Sequence, residues 1–123
     1  MMHVACSTSA DTSQFDYAKR IKNRIATRKA KIGVVGLGYV GLPFAVEKAN
    51  VGFDVVGIEL NAQRVARVNK SDSYISDVSD VALHKAVESG RLRACSSFQA
   101  VTDMDVIVVC VPTPLTKNLT PDL

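Results

Sequence analysis

Glycines at positions 36, 38 and 41 and a carboxylate at position 59 are the residues of this 123-residue chain whose types and spacing can do chemistry. In Gly36-Leu37-Gly38-Tyr39-Val40-Gly41 the first glycine permits a tight turn and the second leaves room for a pyrophosphate to approach the backbone. The third lets the following helix pack against a sheet. Glu59 lies 23 residues after Gly36, where a carboxylate can accept hydrogen bonds from both hydroxyls of an adenosine ribose. A negative charge there repels a 2′-phosphate, which favours NAD over NADP. A lone GxGxxG is weak evidence, because glycine-rich turns also serve purely structural ends. Its meaning rests on the elements around it.

Those elements have the required order. Lys31-Ile32-Gly33-Val34-Val35 is short, apolar and rich in β-branched residues, which predicts a strand buried on both faces. A helix is expected from about Leu42 to Val51, with Pro43 near its first turn. Gly52 then stops it, and Asp54 to Glu59 forms a second strand. Strand, glycine loop, helix and strand in under about thirty residues make a βαβ unit. Asn61 can cap a helix to about Asn69, whose Arg64 lies near enough to Glu59 to reach the adenosine ribose or the adenine face. Residues 71–77 read as a loop. Asp77 or Ser79 begins a helix that Gly90 ends, Leu92 to Cys95 is a short strand, and Ser97 to Val101 a helical turn. Asp105 to Val111 is a strong apolar strand ending in Pro112-Thr113-Pro114.

The pattern predicts an α/β fold: a Rossmann-type doubly wound parallel sheet, incomplete at about four strands in the order 3-2-1-4. A helical layer should lie on each face, and a helix should precede the first strand. Ligands of such sheets sit beyond the carboxyl ends of the strands, where the strand order reverses. If the first and last strands adjoin, Val111, Pro112 and Thr113 come up beside the glycine loop, and the Thr113 hydroxyl can reach the cofactor.

Composition narrows the alternatives. One domain is all that 123 residues allow, and no apolar run approaches a membrane span or a secretory signal. The expectation is a cytoplasmic protein with no membrane partner. Cys6, Cys95 and Cys110 form no CxxC pair, and no metal site is expected. Cys110 should be packed inside its strand, and His84 should be a surface or boundary histidine. The net charge of +3 is uneven: residues 1–31 hold seven basic and two acidic groups, the remainder eight and ten. A nucleic-acid arm and a transit peptide both have such basicity. No aromatic residues interleave the basic ones, which favours a solvated helix and no nucleic acid. Phe15, Ala18, Lys22 and Ile25 form its stripe, Ile21 flanks it, and Asp11 or Thr12 can cap it. Residues 1–30 are thus a tail and basic helix, and residues 31–123 the nucleotide-binding domain.

KIGVVGLGYVGLPFAVEKANVGFDVVGIELNAQRV, the SYISDV loop, the ESGRLRA turn and DMDVIVVCVPTPL together resemble the N-terminal domain of the UDP-glucose and GDP-mannose 6-dehydrogenase family. Within it, the branch acting on UDP-N-acetylglucosamine or UDP-N-acetylmannosamine is most similar. The resemblance implies oxidation of the sugar C6 alcohol to a carboxylate with two NAD, through a cysteine-bound thiohemiacetal and thioester. It also implies that Gly36, Gly38, Tyr39, Val40, Gly41, Glu59 and Thr113 match cofactor-binding positions. None of the three cysteines here matches the catalytic one, so no catalytic residue is expected in this chain. The UDP-sugar would then bind only with further domains. A free-standing NAD-binding or regulatory module is the alternative, and an oxidoreductase completed by another chain a third reading. An unpaired edge on the fourth strand would favour self-association.

Overall fold

Four strands pair in parallel in the order β3-β2-β1-β4, as the sequence predicts. The structure is a computed structural model, which describes residues 10–112 and 117–118, with side chains from residue 16 onward. The elements are α1 (Ala10–Ala26), β1 (Lys31–Val35), α2 (Gly41–Asn50), β2 (Asp54–Ile58), α3 (Ala62–Asn69), α4 (Asp80–Glu88), β3 (Leu92–Cys95), a 3₁₀ turn (Phe98–Asp103) and β4 (Val106–Val109). Ile32 faces Val55 and Val106 across the sheet, and Val34 faces Gly57 and Val108. Side chains alternate along a strand. One face therefore carries Ile32, Val34, Val55, Leu92 and Ala94, all buried in a single core with Leu42, Val46, Val68 and Leu83 from the helices.

Helices α2, α3 and α4 cover that face. The opposite face is covered by the 3₁₀ turn over β1 and β2, with Met104 closing on Gly33. A helical layer is expected on that side, and this short turn stands in its place. Consequently Ile107 and Val109 of β4 stay 47% and 65% exposed, where the sequence predicts burial on both faces. As an edge strand, β4 has a neighbour on one side only, and it ends at Val109 rather than Val111. Cys110 accordingly lies just past the strand, half-buried against the core.

Local signals set the helix starts. Asn61 Oδ1 accepts from the amides of Gln63 and Arg64, and Ser79 Oγ accepts from Ala82. Ser79, not Asp77, is therefore the cap of α4. Asp11 and Thr12 lie inside α1 and so cannot cap it. Of the stripe expected on α1, Ala18, Lys22 and Ile25 are exposed and Phe15 lies outside the described side chains; among those described, Ile21 and Arg24 are half-buried. His84 is exposed on α4. No helix among the described residues is long and apolar enough to cross a membrane.

A carboxylate ties the end of α1 to the sheet. Asp105 Oδ2 accepts from Arg24 Nε at 3.0 Å and from the Lys31 amide at 2.9 Å, while Arg24 Nη2 also reaches the Lys29 carbonyl. The Lys31 amide lowers the pKa of Asp105; partial burial opposes this and the Arg24 guanidinium adds to it, so the net shift is downward from 3.8. A depressed carboxylate stabilises the fold above its unfolded pKa, and the contribution disappears as pH falls through the lower folded value. Asp105→Asn should therefore lower stability at pH 7 by about 1 kcal/mol. In urea titrations its deficit should shrink as pH falls below the ordinary value of 3.8, and coincident curves at pH 7 would refute the assignment.

Candidate functional site

The carboxyl end of β1 runs into the glycine loop, and two of its glycines answer to the protein itself. Gly36 has φ +95° and donates its amide to the Ile58 carbonyl at 2.8 Å. A Cβ on it would lie 2.6 Å from the Cys110 carbonyl oxygen, so a side chain is barred by conformation and by the end of β4. A Cβ on Gly41 would collide with the Gly36 carbonyl oxygen and crowd the Cys110 side chain. The close approach that needs Gly41 is thus chiefly within the loop, with a further contact between the start of α2 and Cys110 at the end of β4. Gly38 differs. Its φ is not left-handed, and a Cβ there would meet nothing nearer than Arg64 Nη1 at 3.8 Å.

Leu37, between these glycines, is wholly buried. Its Cδ1 would be 2.6 Å from a Cβ on Gly57, so the side chain occupies a hollow that only glycine leaves in β2. Its amide donates to Glu59 Oε1 at 3.2 Å, and the Asn61 amide donates to Oε2 at 3.0 Å. Arg64 Nη1 stands 3.5 Å from Oε1. Burial pushes the Glu59 carboxyl up, but the Asn61 and Leu37 amides and the Arg64 guanidinium outweigh it. The net shift is downward from 4.5, so the group is an anion at neutral pH.

These residues line a cleft of about 730 Å³ at the carboxyl ends of β1, β2 and β4. The sequence expectations Gly36, Gly38, Tyr39, Val40, Glu59, Arg64, Val111 and Pro112 all meet there, while Gly41 sits behind the rim. Thr113 and Cys6 lie outside the described residues. At the head of α2, Val40 is the cap residue and supplies no side-chain bond to the first turn; the Leu42 amide donates to the Gly38 carbonyl, the Phe44 amide to the Val40 carbonyl, and Pro43 has no N–H. Leu60 and Phe98 also line the cleft, although sequence reasoning passes over them. The available signal is an apolar side chain in a loop just past a strand end: Leu60 is 73% exposed and Tyr39 78%. Cys95 is on β3 with its thiol toward the Ser97 carbonyl, outside the cleft lining. A second, shallower hollow of about 500 Å³ lies beside the α3–α4 loop, bounded by Arg67, Tyr74 and Asp80. Among the described residues, no three His, Cys, Asp or Glu side chains gather as a metal site.

A parallel sheet whose order reverses between β1 and β4, with a glycine loop and a strand-end carboxylate at that point, defines a dinucleotide-binding α/β domain. Comparison with known proteins narrows this further. The chain belongs to the UDP-glucose/GDP-mannose dehydrogenase family: residues 30–123 match the model of that family's NAD binding domain, and NAD is the cofactor. It is 41% identical over 85 residues to UDP-N-acetyl-D-mannosamine dehydrogenase of Methanococcus maripaludis, covering 68% of this chain and 19% of that protein. The corresponding protein of Pyrococcus horikoshii is 33% identical over 94 residues, covering 76% and 22%. Its solved structure, described as a UDP-D-ManNAc dehydrogenase, superposes with a TM-score of 0.68 at 32% identity, over 75% of this chain and 22% of that one. A ternary complex of GDP-mannose dehydrogenase from Pseudomonas aeruginosa gives 0.70 at 33% identity, over 74% and 21%. The chain thus spans about a fifth of the length of the relatives it matches.

The three loop glycines should separate on substitution. Gly41→Ala should cost about 2 kcal/mol of stability through overpacking, whereas Gly38→Ala should stay within about 0.5 kcal/mol of the parent. Thermal melts of the two variants compare them directly. A Gly38→Ala loss as large as that of Gly41→Ala would mean that the space over Gly38 is structural after all.

Proposed function

We propose that this chain is the NAD-binding portion of a nucleotide-sugar 6-dehydrogenase that oxidises a UDP-N-acetylhexosamine to the uronic acid with two NAD. UDP-N-acetylmannosamine is favoured over UDP-N-acetylglucosamine, because relatives at 33–41% identity carry its name. The observation that carries the reading is the unfilled space over Gly38: nothing in the protein calls for glycine there, while a pyrophosphate does. Glu59 stands beside it as an anion. A carboxylate has roughly four acceptor sites, so ribose hydroxyls can join the Leu37 and Asn61 amides without displacing them.

In this reading Tyr39, Val40, Val111 and Pro112 form the apolar and backbone walls of the nucleotide site, Arg64 flanks the ribose, and Thr113 is assigned to the cofactor by the resemblance of the sequence. Residues 31–123 are the domain and residues 1–30 its leading tail and helix. NAD, when bound, supplies hydride acceptance; this chain supplies binding and orientation. The thiolate chemistry is assigned outside the NAD-binding domain, and neither Cys95 nor Cys110 substitutes for it. Cys110 lines the cleft with its backbone and Cβ set against the loop glycines, and the Cys95 thiol faces a backbone carbonyl. The setting is cytoplasmic, and a free-standing NAD-binding module is the alternative reading. The exposed Ile107 and Val109 on edge strand β4 favour self-association when the chain is alone.

Calorimetry should show NAD binding at least about tenfold tighter than NADP, a difference of about 1.4 kcal/mol. Glu59→Ala should narrow that gap, and Gly38→Val should abolish both. Equal affinities for the two dinucleotides would remove the role given to Glu59.

Turnover is a separate matter. The purified chain with NAD and either UDP-N-acetylhexosamine should produce no NADH absorbance at 340 nm. Steady production, free of any full-length enzyme, would show that catalytic groups reside in these residues.

A further inference from the structure

The α3–α4 loop reaches the glycine loop through a hydrogen bond. Tyr74 Oη lies 2.6 Å from the Leu37 carbonyl oxygen. A carbonyl can only accept, so the phenol donates. Half-buried, the phenol has its pKa pushed up to about 12 and stays protonated. The loop that carries it is itself tied down: the Ser73 amide donates to Asp80, Ser73 Oγ to the Ile75 carbonyl, and Ile75 and Val78 are buried. The guanidinium carbons of Arg64 and Arg67 lie 5.2 and 5.5 Å from the centre of its ring. Arg67 is held in turn by a two-point bond to Asp72 at 3.0 and 3.1 Å.

Planarity makes this contact directional. In a trans peptide the N–H points opposite to the preceding C=O. Pinning the Leu37 carbonyl toward Tyr74 turns the Gly38 N–H to the opposite side of that peptide, away from Tyr74; Gly38 lines the cleft and Tyr74 does not. Free rotation of that peptide would otherwise let the donor turn inward.

We propose that Tyr74 is a positioning residue of the dinucleotide site: its hydroxyl presents the Gly38 N–H to a pyrophosphate, and its ring holds the Arg64 guanidinium beside Glu59. The inference rests on the dinucleotide reading above. It assigns the SYI loop a part in binding although that loop is outside the cleft.

The test uses the full chain and three probes, NAD, ADP and adenosine, against Tyr74→Phe and Tyr74→Leu. Tyr74→Phe should weaken NAD and ADP about fivefold, the worth of one hydrogen bond, and leave adenosine unchanged. Tyr74→Leu, which also removes the ring, should weaken adenosine as well, by about two- to fivefold. A Tyr74→Phe loss common to all three probes, as an unfolded fraction would give, overturns the inference. So does wild-type affinity of Tyr74→Phe for NAD, while NAD binding by the parent chain remains intact. Failure of the parent chain to bind NAD overturns the dinucleotide reading, and this inference with it.

Discussion

Leu37 drives its side chain into the hollow that Gly57 leaves in the sheet, and the geometry of the glycine loop follows from that contact. Burying a leucine side chain is worth about 2 kcal/mol, enough to decide where a short loop sits. Once the side chain is seated, the two peptide groups of the residue point in fixed directions. The amide finds Glu59 and the carbonyl finds Tyr74. The carboxylate that should select the ribose is therefore also a brace for the loop that should admit the phosphates. Disturbing Gly57 would move both, although Gly57 lines no cleft.

The loop glycines differ in what they answer to. Gly36 and Gly41 face protein atoms that leave no space for a side chain, the end of β4 in one case and the loop's own carbonyl in the other. Gly38 faces an open cleft. Such a division separates the part of a motif that folds the chain from the part that waits for a ligand. It also explains why β4 matters to the site: without the Cys110 backbone over Gly36, the first turn would lose the neighbour that shapes it.

Much of this was readable from residue types. Parallel order, strand positions, the Asn61 cap and the meeting of Glu59 with Arg64 follow from periodicity and spacing. Burial of β4 did not, because an apolar run says that a strand can be covered and not that a cover is present; among the described residues the cover on that side is a 3₁₀ turn over β1 and β2. The α1 stripe failed for the same reason, since amphipathic spacing specifies a face but not a surface to receive it. Phe98 and Leu60 escaped notice because loop residues carry no periodic signal. Tyr74 was legible only as part of a family-like string, and its hydrogen bond to a backbone carbonyl 37 residues away leaves no trace in local sequence.

The two margins of the sheet are unequal. On β3 the side-chain amide of Asn69 donates to the Ala94 carbonyl and accepts from its N–H, mimicking a neighbouring strand. On β4 the outer edge pairs with no strand among the described residues. Growth of the sheet therefore has a polarity, and the kind of growth would be visible in the strand directions. A crossover connection lays the next strand parallel to β4. Two copies related by a dyad normal to the sheet would instead meet with their β4 strands antiparallel, giving a continuous eight-stranded sheet with both Asn69 plugs at its outer limits.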